Sequence, residues 1–389
     1  MGYHNDNPDG QEVGQSSGSG MFMNFLLFLA SVLIALCVGE AAVRIIYPQE
    51  LGNWTYTRDG LTLHLPNMTQ LSHRFGTLIR TNSVGMRDRD HSWEKSPGTY
   101  RILVLGDSFM EANQVKFEDA FVSLLERQLG GVTGHSIEVI NASVSGWGTD
   151  DELMYLMREG LRYRPDLVLV GMTLHNDVQD NQAEEFHVFT DGHLQEKPRL
   201  EISLEDFAFL QMKEFLASHS HLYQVLLRAK RFSWVQQEGN RLSSHVASLI
   251  KKQPTPEVVQ AWDMTRHLFR KMKVESLKQG ANVAVFLIPL WVQVSEERLK
   301  EFLTEHQLSI EQIALDQPQS HMKAIGQAEQ IEIMDLLPDF QRAEKEDPQK
   351  LYLLDDGHWT AEGHRLAASV VKERLNYLVG CGKAYSATC

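Results

Sequence analysis

The chain reads as an α/β protein whose mostly parallel five-stranded sheet is covered by helices on both faces, behind a single membrane-crossing helix. Two observations predict this. Five short apolar, β-branched runs, at residues 101–105, 137–140, 166–170, 282–288 and 331–334, alternate with stretches of helical periodicity. Strands and helices in alternation favour parallel pairing with the crossover helices packed outside, a three-layer α/β/α sandwich. In addition, residues 21–38 run without a charge near the N-terminus.

Residues 1–20 are rich in Gly, Ser, Asn and Asp and read as a disordered tail. With residues 39–47 continuing it, the apolar run is long enough for a bilayer span, which takes roughly 20 residues. Residues 21–47 are therefore read as an anchor helix, with Glu40 and Arg44 one turn apart and able to pair where it leaves the lipid. A cleaved signal peptide would want a basic leading region, and the tail has no Lys or Arg.

Residues 48–98 hold Pro, Gly, Asn and Asp with little periodicity and read as a connecting segment with short strands. Residues 99–380 form the main domain. Helical spacing is expected over 117–129 and 150–162. Thr255-Pro256 opens a helix that Gly280 stops, and Thr360 caps a last helix carrying Leu366, Val370, Val371 and Leu375. Residues 181–254 have no comparable strand and read as a helical insertion, with a capped start at Ser203 and Asp206. Residues 381–389 are a tail. Cys381 and Cys389 bracket it and either pair or stay free; with Cys37 they are the only three cysteines, too few for a disulfide scaffold. A formal charge of -14 argues against a nucleic-acid partner, which would want clustered Lys and Arg.

Four short blocks carry chemistry. They are Gly106-Asp107-Ser108-Phe109, Val144-Ser145-Gly146-Trp147-Gly148, Asn176-Asp177 and Asp355-Asp356-Gly357-His358. In an open parallel sheet, residues just past the carboxyl ends of the strands line the ligand-binding edge. Ser108 on a strand-to-helix turn exposes its hydroxyl but needs a base to become nucleophilic. His358 can be that base, and a carboxylate on its own loop can fix the ring's tautomer. Asp355 is the nearer reading and Asp356 its competitor, since spacing does not separate them. Gly146 lets a backbone N–H approach an oxyanion, and Asn176 and the Ser108 N–H can join it. Each residue alone has a plainer role: Ser108 and Asn176 as helix caps, Gly146 in a tight turn. All four blocks falling at strand ends, in order, is what favours the catalytic reading. Two look-alikes warn against spacing alone. Asp88-Arg89-Asp90-His91 repeats the Asp-x-x-His pattern, and Gly14 to Gly18 matches a nucleophile elbow without a strand before it.

In content and order the four blocks resemble the SGNH (GDSL-type) hydrolase superfamily over roughly residues 75–378, outside the insertion. The stretch from Thr81 through Asn82, Gly85 and Arg87 to Asp88 is similar to the lead-in of its membrane-anchored bacterial members. The resemblance implies a flavodoxin-like sheet of order 2-1-3-4-5. It implies Ser108 as nucleophile, Asp355 and His358 as the rest of the triad, and Ser108, Gly146 and Asn176 as the oxyanion hole. It implies an esterase acting on O-acyl groups, acetyl above all, of a carbohydrate or other cell-surface molecule, without metal or other cofactor. An O-acyltransferase using the same triad and a non-catalytic subunit of a membrane complex are the alternatives. Where the family usually has Gly-x-Asn-Asp, this chain has Leu174-His175-Asn176-Asp177. His175 reads as a buried structural histidine, with substrate contact the alternative, and Met110 and Ala112 stand beside the nucleophile. The expected partners are an acylated glycan or small molecule, the bilayer through residues 21–47, and a membrane protein. The only basic residues near the anchor, Arg44 and Arg58, follow it, which favours a cytoplasmic domain. The resemblance implies the opposite, and an extracytoplasmic domain is the expectation carried forward.

Overall fold

Five β-strands, β1 Thr99–Gly106, β2 Ser136–Ser143, β3 Leu167–Thr173, β4 Asn282–Ile288 and β5 Glu332–Asp335, pair in the order β5-β4-β3-β1-β2, every pair parallel. This is the 2-1-3-4-5 order of a flavodoxin-like sheet. The structure, a computed structural model, describes residues 17–57, 59–130, 136–181, 187–190, 193–196 and 203–380.

Side chains alternate across the strands, and both sides are apolar because both are covered. Leu103, Leu105, Val168, Val170, Val285 and Leu287 face one core. It is roofed by α3 Thr149–Arg158, α6 Pro256–Lys278 and α7 Gln317–Glu329; α1, α2, α4, α5 and α8 are Ser17–Ile46, Phe121–Gly130, Leu204–His219, His221–Leu249 and Ala361–Gly380. Ile102, Val104, Leu167, Leu169, Ala284 and Phe286 face the other core, under α2 and α8. All of β3 is buried, as a central strand must be.

The chain leaves β1 toward β2, then crosses back to β3 on the far side of β1. The crevice at this reversal is where such sheets bind ligands. Ser108 follows β1, and Asn176 follows β3, so the two stand on either side of it.

One expectation of the fold needs correction. The insertion contains a strand pair after all, His187–Thr190 antiparallel to His193–Glu196. Its Asp191-Gly192 is a hairpin signal in the sequence. The end of the insertion enters the first core, where Val246 and Leu249 in the last turn of α5 and Ile250 just after it are buried. Residues 48–98 carry the short strands expected of them and also frame the core. They form two hairpins, Trp54–Tyr56 with Thr62–His64 and Thr69–Leu71 with Leu78–Arg80, and send Leu61 and Met86 into the core. Gly85 is required there: its φ is +82°, and a Cβ would lie 2.3 Å from the His64 carbonyl oxygen.

Within α1, the segment Gly20–Ile46 is 27 residues long; its most apolar 18-residue window has mean hydropathy 2.5, and none of that window is buried against the rest of the chain. The segment is thus long and apolar enough to cross a membrane, about 40 Å at helical rise. Cys381 and Cys389 lie outside the described residues, as do residues 1–16 and with them most of the Gly14 to Gly18 look-alike.

Candidate active site

The last turn of β1 ends at Gly106, and Asp107 caps the single helical turn Ser108–Glu111 by accepting from the Phe109 N–H at 3.0 Å. Ser108 is thereby presented at the crevice. Its Oγ lies 2.7 Å from Nε2 of His358, a residue 250 positions further along. The other ring nitrogen, Nδ1, lies 2.5 Å from an Asp356 carboxylate oxygen. A carboxylate only accepts, so Nδ1 carries the proton and Nε2 accepts from the serine hydroxyl. Phe109 packs on the imidazole, ring centroids 4.8 Å apart, and limits its tilt.

The imidazole's partner is therefore Asp356 and not Asp355. The reason is the loop's shape. Tyr352 and Trp359 form an antiparallel bridge, and the Leu353 N–H donates to the His358 carbonyl at 2.8 Å, so the segment is a hairpin loop. Gly357 turns it with φ +82°. Residues two apart then share a side, which puts Asp356 beside His358. Asp355 is exposed and lines a cavity of about 240 Å³ with Trp291, Tyr352 and Leu354. Burial pushes the Asp356 carboxyl upward, but the hydrogen bond and charge of His358 and the nearby Arg74 guanidinium outweigh it and leave it below its ordinary range. Arg74 reaches in from the connecting segment, 2.9 Å from Asp356.

Gly146 adopts φ +85°, open only to glycine at low cost, and a Cβ there would meet nothing within 4 Å. Its loop is braced from two sides. The Ser145 N–H and hydroxyl both donate to Glu111, at 2.6 and 2.5 Å, and the Trp147 indole donates to the Thr62 carbonyl at 2.9 Å. Glu111 stands on the helical turn of Ser108, so one carboxylate links the nucleophile to the Gly146 loop. It is fully buried, and its other oxygen meets His64 at 2.7 Å. Burial would raise this carboxyl, yet His64 and Ser145 hold it down to about 2. Burial lowers His64, and Glu111 reverses this to leave it raised. The two form an ion pair. Buried Arg87 donates to the Glu111, Ala112 and Val115 carbonyls and fixes the chain after the turn.

Asn176 directs its side-chain N–H groups to Asp107, at 3.4 Å, and to Asp180, at 3.2 Å. Among the described residues, no hydrogen bond engages the N–H of Ser108 or of Gly146. Thr173 and Asn176 steady Asp107, whose carboxyl burial raises. His175 lies half-buried against Phe109, ring centroids 5.9 Å apart. Burial, then His358 and His245, push it down to about 3, so it is neutral near pH 7. Met110 and Ala112 are fully buried; Met110 fills the space over Gly106 and Gly171, so neither residue lines the crevice.

Glu111, His64 and Arg74 went unread in the sequence, and Arg87 was named only within the Thr81 to Asp88 stretch, without a role. Glu111 carries the only local signal, a charge one helical turn past the serine. The other three act from the connecting segment and have no spacing relation to it.

Residues 251–384 match the family model described as SGNH hydrolase-like domain, acetyltransferase AlgX. The chain carries an SGNH hydrolase-like domain. The matched residues include Asp356 and His358, while the fold supplies Ser108, Gly146 and Asn176 from outside them. Similar solved structures include TesA, 16% identical over 72% of this chain and 99% of that one, with TM-score 0.39. An acetyl xylan esterase, AlAXEase, is 14% identical over 71% of this chain and 99% of that one, with TM-score 0.40. A catalytic mutant of Axe2, an acetylxylan esterase from Geobacillus stearothermophilus, is 12% identical over 72% and 94%, with TM-score 0.39. No curated protein matches the sequence.

Proposed function

We propose that the protein is a membrane-anchored serine esterase that removes O-acyl groups, acetyl in particular, from a carbohydrate or other cell-surface substrate. The observation that carries this reading is the chain of contacts from Ser108 Oγ to His358 to Asp356. Ser108 attacks the ester carbonyl while His358 Nε2 takes its proton. The N–H groups of Ser108 and Gly146 hold the oxyanion, and Asn176 joins them if it releases Asp107 or Asp180. Asp356 stabilises the imidazolium. The imidazolium then protonates the leaving alcohol, and the acyl group remains on Ser108. His358 next takes a proton from water, whose oxygen attacks the acyl-enzyme, and returns that proton to Ser108 Oγ as the acid leaves. In this reading the domain lies on the extracytoplasmic side, which the resemblance of the four blocks supports.

One observation favours a second reading. The matching family model is that of an acetyltransferase, and a sugar hydroxyl in place of water at the second step would make the protein an O-acyltransferase. Both readings require Ser108-dependent labelling by a fluorophosphonate, lost in Ser108→Ala. A protein with no such labelling and no ester hydrolysis would be the non-catalytic membrane subunit instead. Acetylated glycans supplied with and without an unacetylated acceptor then separate esterase from transferase: release of acetate regardless of acceptor supports the first, and acetylated acceptor the second.

A further inference from the structure

Helix α4 is apolar on two faces. Phe207 and Leu210 lie on the partly covered inner face, and the helix is tied to the connecting segment by the Gly52 N–H, which donates to the Ala217 carbonyl at 2.8 Å. On the outer side Phe209, Met212 and Phe215, spaced by three, are 51%, 51% and 60% exposed. The Lys213 ammonium sits over the Phe209 ring, 4.4 Å from its centre. Among its charged and polar residues the outer side keeps three large apolar side chains in water, and exposed apolar patches of this kind mark contact with protein or membrane.

The position of α4 identifies what meets that face. Its C-terminal end is joined to the end of α1. Arg44 donates to the His219 carbonyl at 2.8 Å, and Glu40 accepts from the Ser220 hydroxyl, the His221 N–H and the Leu222 N–H at 2.7, 3.0 and 2.9 Å. A residue of the apolar helix thus caps α5. The Gln49 N–H closes the joint on His221 Nδ1 at 2.8 Å. The α4–α5 corner is therefore held at the level where the anchor leaves the lipid, and Ile45, Ile46 and Tyr47 are exposed at that same level, at 81%, 81% and 61%.

We infer that the outer face of α4 lies in the interfacial layer of the bilayer that α1 crosses, a second lipid contact that orients the catalytic domain. This rests on the reading of α1 as a membrane anchor. Phe209, Met212 and Phe215 enter the headgroup and acyl boundary, and the Lys213 stem lets its ammonium reach the headgroups.

The test uses the full chain in phosphatidylcholine–phosphatidylglycerol vesicles, with Cys37, Cys381 and Cys389 changed to Ser and one nitroxide at Met212→Cys, Leu29→Cys or Glu346→Cys. Collision rates with oxygen, which partitions into lipid, and with a water-soluble nickel chelate are compared. The expected oxygen-to-nickel ratio at position 212 approaches that at 29 and exceeds that at 346 by at least about tenfold. Adding Phe209→Ser and Phe215→Ser should move the ratio toward nickel while Ser108 labelling by fluorophosphonate is retained. A nickel-accessible position 212 beside a lipid-exposed position 29 overturns the inference and leaves the anchor standing. Protection from both reagents overturns it in favour of a protein partner or second copy. A nickel-accessible position 29 overturns the anchor reading and this inference with it.

Discussion

Two loops of this chain spell Asp-x-x-His, and they are built for different ends. In the first, Asp88 and His91 bond to each other at 3.0 Å, the ring's other nitrogen meets Glu138 at 2.6 Å, and Arg101 closes the network on Glu138. Asp88 also accepts from the Asn141 N–H at 2.7 Å, and Glu126 accepts from the Val139 N–H at 2.8 Å. Both donors lie on β2, the edge of the sheet, so the carboxylates occupy groups that would otherwise invite another strand. Each nitrogen of His91 is committed to a carboxylate. In the second loop, Gly357 turns the chain so that Asp356, not Asp355, takes one nitrogen, and the other faces a hydroxyl. An imidazole with two acids is a clasp; an imidazole between one acid and one hydroxyl can pass a proton.

The sharpest break of this contrast is His358→Ala, which should lower kcat/KM on a simple acetyl ester by about 10⁴-fold or more while leaving the melting temperature near wild type. Retained activity would refute the assignment of the base. Next comes the paired comparison on that loop. Asp356→Asn is expected to cost about 10²- to 10⁴-fold in kcat, and Asp355→Asn no more than about threefold. A reversed ranking would restore the spacing-based choice.

At the first loop the effect moves from rate to stability. Asp88→Asn should destabilise by about 1–3 kcal/mol in urea titration, the range for buried hydrogen bonds to charged groups, with activity per folded molecule unchanged. Acid and base also separate the loops. Burial lowers His91, but the bond and charge of Asp88 and the bond to Glu138 leave it raised. Its contribution to stability is therefore full below about pH 6.5 and is lost as pH rises through the raised value. Asp356 is held low, so its contribution is present above about pH 3.9 and is lost as pH falls through the lower value. The melting-temperature gap between wild type and His91→Gln should accordingly narrow on the alkaline side, and that between wild type and Asp356→Asn on the acidic side. A small effect is also expected for Arg74→Ala. With its side chain 57% exposed, Arg74 contributes about 0.2–1 kcal/mol through Asp356, or a loss of about one-and-a-half- to fivefold in kcat/KM.

The sheet was legible because burial on both faces leaves unbroken β-branched runs; 282–288 matches β4 residue for residue, and the other four strands lie within about three residues of theirs. The position of Ser108, Gly146 and Asn176 at strand ends was legible for the same reason, whereas His358 does not follow a strand directly: it lies 23 residues past β5, beyond a helix at Leu337–Glu346, on the loop bridged by Tyr352 and Trp359. Asp356 was not legible, because only the conformation at Gly357 separates it from Asp355. Nor were His64, Arg74 and the contacts of Arg87, whose partners are distant in sequence and whose segment has no periodicity. The hairpin at 187–196 was missed although Asp191-Gly192 announces it, since its strands are short and carry three histidine and glutamate residues.

The bond between Glu111 and His64 has a practical side. Anyone wishing to make this enzyme without its anchor would be tempted to begin at Thr99, where the regular sheet starts. That fragment would leave the Glu111 carboxylate sealed in a pocket with no cation, and the Gly146 loop without the Thr62 carbonyl that holds its tryptophan. A workable soluble form begins near Gln49, because the hairpins before the sheet are part of the active site's own frame.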